Sequence, residues 1–198
     1  MIILDTETTG IDYRKHSIVS LGALDSYNPK HQFYEECRIF EGTEIDSESL
    51  KINGFTIGQI TDKNKQSLEQ LMKEFFKWEK HIHDKTLAGQ NVHFDANFTK
   101  FSAELYNLKY PFSDKRFIDL HSICYADHLK RGFKIPLKDG KSDLSLDHVL
   151  RYAGLPKEPK PHNALTGAEL EAEALSRLIY GKNLIKEFKV YKIPKHLL

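Results

Sequence analysis

The sequence predicts an α/β fold in which a mixed sheet is flanked by helices, and three observations carry that prediction. The chain opens on a short apolar run, Met1-Ile2-Ile3-Leu4, with the look of a buried strand. Two segments rich in β-branched and aromatic residues follow in succession, and farther on short apolar runs alternate with longer stretches of helical periodicity. Strands that first pair and then alternate with helices imply a sheet with helices laid on it. A length of 198 residues, 40% hydrophobic and 29% charged, suits one domain with its own core, so residues 1–198 are read as a single domain.

Ser17 to Tyr27 and His31 to Ile39 read as an antiparallel pair, with Asn28-Pro29 as the turn between them. Ser47 to Ile52 is a short helical stretch closed by Asn53-Gly54. From Ser67 to Ile82, the residues Leu68, Leu71, Met72, Phe75, Phe76 and Trp78 recur at helical spacing. Thr86 to Gly89 is a brief strand, and Asp95 to Leu108 a helix with Phe94, Phe98, Phe101 and Leu105 on one face. Arg116 to Leu120 is a further strand. Helices follow at Ser122 to Lys130, Ser145 to Ala153 and Thr166 to Tyr180. No repeat or linker marks a second domain.

A formal net charge of +1 advertises no polyanionic partner, so nucleic-acid contact would have to come from local patches. Cys37 and Cys124 lack metal-type spacing and read as buried reduced thiols, which suits a cytoplasmic location. No segment has the apolar length to span a bilayer, so no membrane partner is expected.

In Asp5-Thr6-Glu7-Thr8-Thr9-Gly10 two carboxylates sit two positions apart at the end of an apolar strand and project from the same face of the pleat. Hard divalent ions take oxygen ligands, and such a pair is a natural beginning for a metal site, although an isolated Asp-x-Glu is more often a solvated turn. The longer string resembles the first motif of the DnaQ-like, or DEDDh, exonuclease family. Gly89-Gln90-Asn91-Val92-His93-Phe94-Asp95 is similar to the family's second motif, and Pro161-His162-Asn163-Ala164-Leu165 to its third. Ile52-Asn53-Gly54-Phe55 resembles a segment common between the first two.

The resemblance implies a ribonuclease-H-like fold and two-metal hydrolysis of phosphodiester bonds with Mg²⁺ or Mn²⁺, two ions. Asp5 would bridge both ions, Glu7 and Asp95 would complete their shells, and His162 would act as general base. The implied partner is single-stranded DNA or RNA with a free 3′ end, shortened to nucleoside 5′-monophosphates. Thr8 and Phe55 are implied contacts to the terminal nucleotide. Read without the resemblance, Asp95 is better taken as a helix N-cap, and His162, one of ten histidines in the chain, as an exposed residue of a proline-flanked loop. His81, His83, His93, His121 and His128 are assigned to surface or packing.

The chain departs from the family pattern in one place. The aspartate that the family carries five positions after the histidine is here Gly167. Two readings of the following glutamates stay open. In one, Glu171, one helical turn beyond Gly167, leans back toward the helix N-terminus and replaces the lost metal ligand, while Glu169 and Glu173 point elsewhere. In the other, Glu169, Glu171 and Glu173 form a solvated acidic face. The alternative function that Gly167 raises is a pseudonuclease that binds nucleic-acid ends or a protein partner without cleaving. Between Leu129 and Lys141, the cations Lys130, Arg131, Lys134, Lys138 and Lys141 surround a turn at Asp139-Gly140, either a basic hairpin that tracks phosphates or a solvated excursion.

Overall fold

A computed structural model describes residues 1–198. Its main sheet has five strands: β1 (Ile2–Thr8), β2 (Ile18–Asp25), β3 (Asn28–Glu36), β4 (Leu87–Gly89) and β5 (Phe117–Asp119), in the order β3-β2-β1-β4-β5. The first three strands pair antiparallel, whereas β4 runs parallel to β1 and β5 parallel to β4. The helices are α1 (Ser47–Asn53), α2 (Ile57–Ile60), α3 (Leu68–Trp78), α4 (His93–Leu105), α5 (Leu120–Lys130), α6 (Leu146–Tyr152) and α7 (Ala164–Tyr180). A small hairpin, β6 (Leu137–Lys138) and β7 (Lys141–Ser142), stands apart from the sheet. No helix is long and apolar enough to cross a membrane.

The apolar opening run forms the central strand because both of its faces are covered. Ile2 and Leu4 pack with Ile18, Leu21, Phe33 and the α3 and α4 residues Leu71, Phe75 and Phe98. Ile3 faces the other way, into a cluster with Ala88, Leu120, Ala168 and Leu175 under α5 and α7. The alternation along β1 therefore assigns each residue to one layer, and Asp5 and Glu7 fall on the α7 side with Ile3.

Several boundaries differ from the sequence reading. The first hairpin turns at Ser26-Tyr27, where the Asp25 carboxylate accepts from the Tyr27 amide at 3.0 Å, and Asn28-Pro29 already belongs to β3. That strand is the sheet edge, where a proline costs no ladder hydrogen bond. The strand carrying Asp5 and Glu7 runs one residue past the acidic pair, to Thr8. Helix α4 starts at His93 and not at Asp95. Helix α7 starts two residues before the predicted Thr166, because the Asn163 side chain accepts from the amides of Leu165 and Thr166 at 3.1 and 3.2 Å.

The start of α7 presses directly on β2. A Cβ at Gly22, the partner of Asp5 in the β1–β2 register, would fall 2.2 Å from the Ala164 carbonyl carbon. Only glycine leaves room for backbone against backbone there. Gly22→Ala is therefore expected to destabilise the fold by about 1–3 kcal/mol, as overpacking does, whereas Gly58→Ala, with nothing within 4 Å of its Cβ position, should leave the urea midpoint nearly unchanged. An unaltered midpoint for Gly22→Ala would contradict this packing.

Candidate active site

The site forms where β1 outlasts its parallel neighbour. Pairing of β1 with β4 ends at Ile3 and Ala88, after which the chain turns through Asn91 at φ 52° into α4. A gap opens beside the second half of β1. Asp95 enters it from the first turn of α4, held by Thr6, whose hydroxyl donates to the Asp95 carboxylate at 2.7 Å. Asp95 is thus no N-cap: it lies inside the helix and is 4% exposed.

On the opposite side of β1, α7 crosses Asp5 at Gly167. A Cβ at residue 167 would lie 2.0 Å from Asp5 Oδ2, so the Asp5 carboxylate occupies the volume that a side chain there would need. One turn farther on, Glu171 is 4% exposed. Its Oε2 has no hydrogen-bond partner and sits 2.9 Å from the Cβ position of Gly89. The solvated acidic face is thereby overturned, because Glu173 is 0% exposed and paired with Arg177 at 2.8 Å. Glu169 turns away, accepting from Gln32 on the edge strand at 2.9 Å. Two of the three glutamates are therefore buried, on different faces of α7: Glu171 against Gly89 of β4, and Glu173 against Arg177 and the amides of Leu184 and Ile185.

His162 stands at the solvent side of the cluster. Its amide donates to the Ile52 carbonyl at 3.0 Å, and its Nδ1 faces Glu158 Oε2 at 3.4 Å. Ligand-type atoms of Glu7, Glu158 and His162 lie within 4.8 Å of one another. Sequence reasoning missed Glu158. The one available signal, its place four residues before His162 in a proline-flanked loop, has no periodic meaning outside a helix.

The other expected contacts are placed as follows. Thr8 is buried, with its hydroxyl donating to the Gly10 carbonyl at 2.7 Å. Its own carbonyl accepts from Asn53 at 3.0 Å, which ties α1 to β1. Phe55 is half-buried in a shallow apolar cleft with Ile45, Leu50 and Ile57, next to Gly54, which packs on Pro161 in the His162 loop. The basic segment does contain a hairpin, turning at Asp139 and Gly140 with positive φ at both. Lys138 and Lys141 are exposed on it, while Arg131 is paired with Asp127 at 2.9 Å. Of the unassigned histidines, His128 is stacked on Tyr152 and His121 meets Ser142 at 2.8 Å, whereas His81 and His83 are exposed and His93 lies edge-on to Phe117.

Crowding of like charges shapes the electrostatics. Burial, then Glu171, Asp95, Glu7 and Glu158, hold the Asp5 carboxyl well above the usual range. Burial, then Glu158 and Asp95, push Glu7 up to about 8. Burial lifts Asp95 to about 7 against the pull of the Thr6 hydroxyl, and lifts Glu158 to about 7 against the Asn163 amide. Glu171 is raised well above its ordinary value by burial and by Asp95. His162 is shifted down by burial and Lys160. Carboxylates this close are a poor arrangement alone and a good one around a hard cation, and an oxygen-rich donor set with the orphaned Glu171 Oε2 fits a divalent metal ion.

A five-stranded mixed sheet of this order, flanked by helices, is the ribonuclease-H-like exonuclease architecture. Residues 2–175 match the RNase_T family, described as exonuclease, and the chain belongs to that family. It is 36% identical over 206 residues to DNA polymerase III subunit epsilon of Rickettsia prowazekii, across 99% of this chain and 80% of that protein. It is 24% identical over 195 residues to the PolC-type DNA polymerase III of Thermotoga maritima and spans 13% of that protein's length. The nuclease domain of 3′hExo, a DEDDh family member bound to rAMP, shares the fold with a TM-score of 0.68 at 18% identity, over 98% of this chain and 95% of that one. The DnaQ-like kinship that the motifs implied is thus established.

Raised carboxyl pKa values fix the sign of a stability test. Between the ordinary carboxyl range and about pH 8 the folded metal-free protein holds protons on Glu7, Asp95 and Glu158 that the unfolded chain releases, so stability falls as pH rises through that window. In EDTA, Tm should be higher at pH 5.5 than at pH 8, and excess Mg²⁺ or Mn²⁺ should close the gap at pH 8. A metal-free Tm that rises from pH 5.5 to 8 would refute the described crowding.

Proposed function

We propose that this chain is a divalent-metal-dependent 3′–5′ exonuclease that hydrolyses phosphodiester bonds of single-stranded DNA or RNA and releases nucleoside 5′-monophosphates. The observation that carries the reading is the convergence of half-buried Asp5 with buried Glu7, Asp95 and Glu171 around one point of β1, with Glu171 Oε2 unpartnered. Asp5, Glu7, Asp95 and Glu171 would hold two ions, and such ions would supply Lewis-acid activation of water and charge stabilisation at the departing oxygen.

The chain's own groups do the rest. His162 accepts the proton of the attacking water as the water oxygen bonds to phosphorus and the bond from phosphorus to the 3′ oxygen breaks. Its downward-shifted pKa keeps the imidazole neutral near neutral pH, the form a general base requires. The Phe55 cleft offers an apolar wall for the terminal base. The Thr8 hydroxyl donates to the Gly10 carbonyl and so offers no free donor to the terminal nucleotide. The exposed Lys138 and Lys141 on the hairpin supply sequence-independent attraction to phosphates. Kinship with a DNA polymerase III epsilon subunit favours DNA, and the test is made on both polymers.

Incubation of 3′- and 5′-labelled single strands with Mg²⁺, Mn²⁺ or EDTA is expected to show mononucleotide release from the 3′ end that EDTA abolishes. Cleavage in EDTA or release from the 5′ end would overturn the reading. Absence of cleavage with either metal would favour a nucleic-acid-binding pseudonuclease, the alternative that Gly167 raises. Asp5→Ala should abolish turnover, and His162→Ala should lower the rate by about 10²–10⁴-fold.

Glu171→Gln keeps the side-chain volume and removes the charge, so activity should collapse while the fold survives. Glu169→Gln should cleave normally, since Glu169 faces Gln32. Glu173→Gln should instead lower Tm, because it breaks the buried pair with Arg177. Full turnover by Glu171→Gln would remove it from the site.

A further inference from the structure

The place that Gly167 leaves is filled, and not by Glu171 alone. Two oxygens point into the space where a side chain at residue 167 would begin: Asp5 Oδ2, at 2.0 Å from the Cβ position, and Glu158 Oε1, at 3.4 Å. Glu158 comes from the loop between α6 and α7, which is free to send a charged side chain outward. Yet the Glu158 side chain is 8% exposed. Its two oxygens have different surroundings. Oε2 faces His162 Nδ1 at 3.4 Å, whereas Oε1 is buried without any hydrogen-bond partner. Turning one oxygen inward beside Asp5 and Glu7 is unfavourable for a carboxylate unless a cation meets it.

From this geometry we infer that Glu158 is a metal-holding residue of the site, its carboxylate replacing from the loop side the ligand that Gly167 cannot provide. The inference rests on the metal-dependent reading above and extends it. It also divides the labour between two acidic residues. Glu171 lies deep, against Gly89 and Asp95, and Glu158 lies on the outer side with Glu7 and His162. Asp5 stands between them, facing both. A glycine at 167 is then a requirement of the arrangement, since a Cβ at that point would collide with Asp5 Oδ2 and crowd Glu158 Oε1.

The competing role for Glu158 is to orient the His162 ring through Oε2 alone. The two roles differ in what Glu158→Gln does, because the amide keeps a hydrogen-bonding atom toward His162 but loses the charge that a hard cation needs. The full chain, stripped with EDTA and free of nucleic acid, is titrated with Mn²⁺ while free Mn²⁺ is followed by its paramagnetic resonance signal. Glu158→Gln is expected to lose one Mn²⁺ equivalent or to weaken binding by about tenfold or more, the scale of a lost ligand-shell group, and Glu169→Gln to match the natural chain. Unchanged Mn²⁺ stoichiometry and affinity in Glu158→Gln would overturn the inference, and an altered pH–rate profile alongside would assign Glu158 to orienting His162. Thermal unfolding in EDTA checks that the variant is folded, and Glu158→Ala carries the same titration if it is not. A natural chain that binds Mn²⁺ through Glu158 but cleaves no nucleic acid would defeat the exonuclease reading and leave this one standing. A natural chain that cleaves while Glu158→Gln binds Mn²⁺ normally would do the reverse.

Discussion

Mutual repulsion among carboxylates that the fold nonetheless buries is the constraint on which the rest of the site depends. Asp5 and Glu7 share the α7 face of β1, Asp95 is held against the same strand by Thr6, and Glu171 reaches down from α7. In water these groups would separate. They stay together because each belongs to an element fixed by apolar packing elsewhere: β1 by Ile2, Ile3 and Leu4, α4 by Phe98, and α7 by Ala168 and Leu175. The hydrophobic core thus supplies the free energy that holds like charges close, and a site strained in this way accepts a hard cation readily.

Close approach is the geometric counterpart of that strain. Helix α7 begins against β2 at Gly22 and passes Asp5 at Gly167, so two residues without side chains bring the helix axis near enough for Glu171 to reach the cluster. The same start of the helix follows the His162 loop, and Ile52 holds that loop through the His162 amide. Helix position, base position and ligand position are therefore set by one segment, from Glu158 to Glu171, and a shift of that segment would displace them together.

Much of this was legible in the sequence. The opening apolar run announced a central strand, the order of strands and helices announced the layers, and the three motifs announced which residues converge. The spacing of Glu171 from Gly167 placed it on the correct face, because helical periodicity is a local rule. What escaped reading depended on contacts across the fold. Asp95 looked like a cap because its partner, Thr6, is 89 residues away. Glu173 looked solvated because Arg177 and the amides of Leu184 and Ile185 that satisfy it define an interior only after the chain returns. Glu158 carried no pattern, since an irregular loop has no period from which to infer direction. Asn28-Pro29 misled for a simpler reason: a proline tolerated on an edge strand has the same sequence signature as a turn.

The buried Arg177 has a consequence of another kind. Its guanidinium donates to the carbonyls of Ala153, Gly154, Phe188 and Tyr191 and to the Asn183 side chain, while Glu173 accepts from two further amides of the same stretch. The residues from Asn183 to Tyr191 have little regular structure of their own, only a short 3₁₀ turn at Lys186–Val190, yet they cannot detach without exposing a desolvated ion pair. Loss of this irregular tail is thereby coupled to opening of the longest helix. Amide protons there, such as those of Leu184 and Ile185, should be as slow to exchange as those of α7, so that a segment with the outward form of a loop behaves as part of the most persistent folding unit.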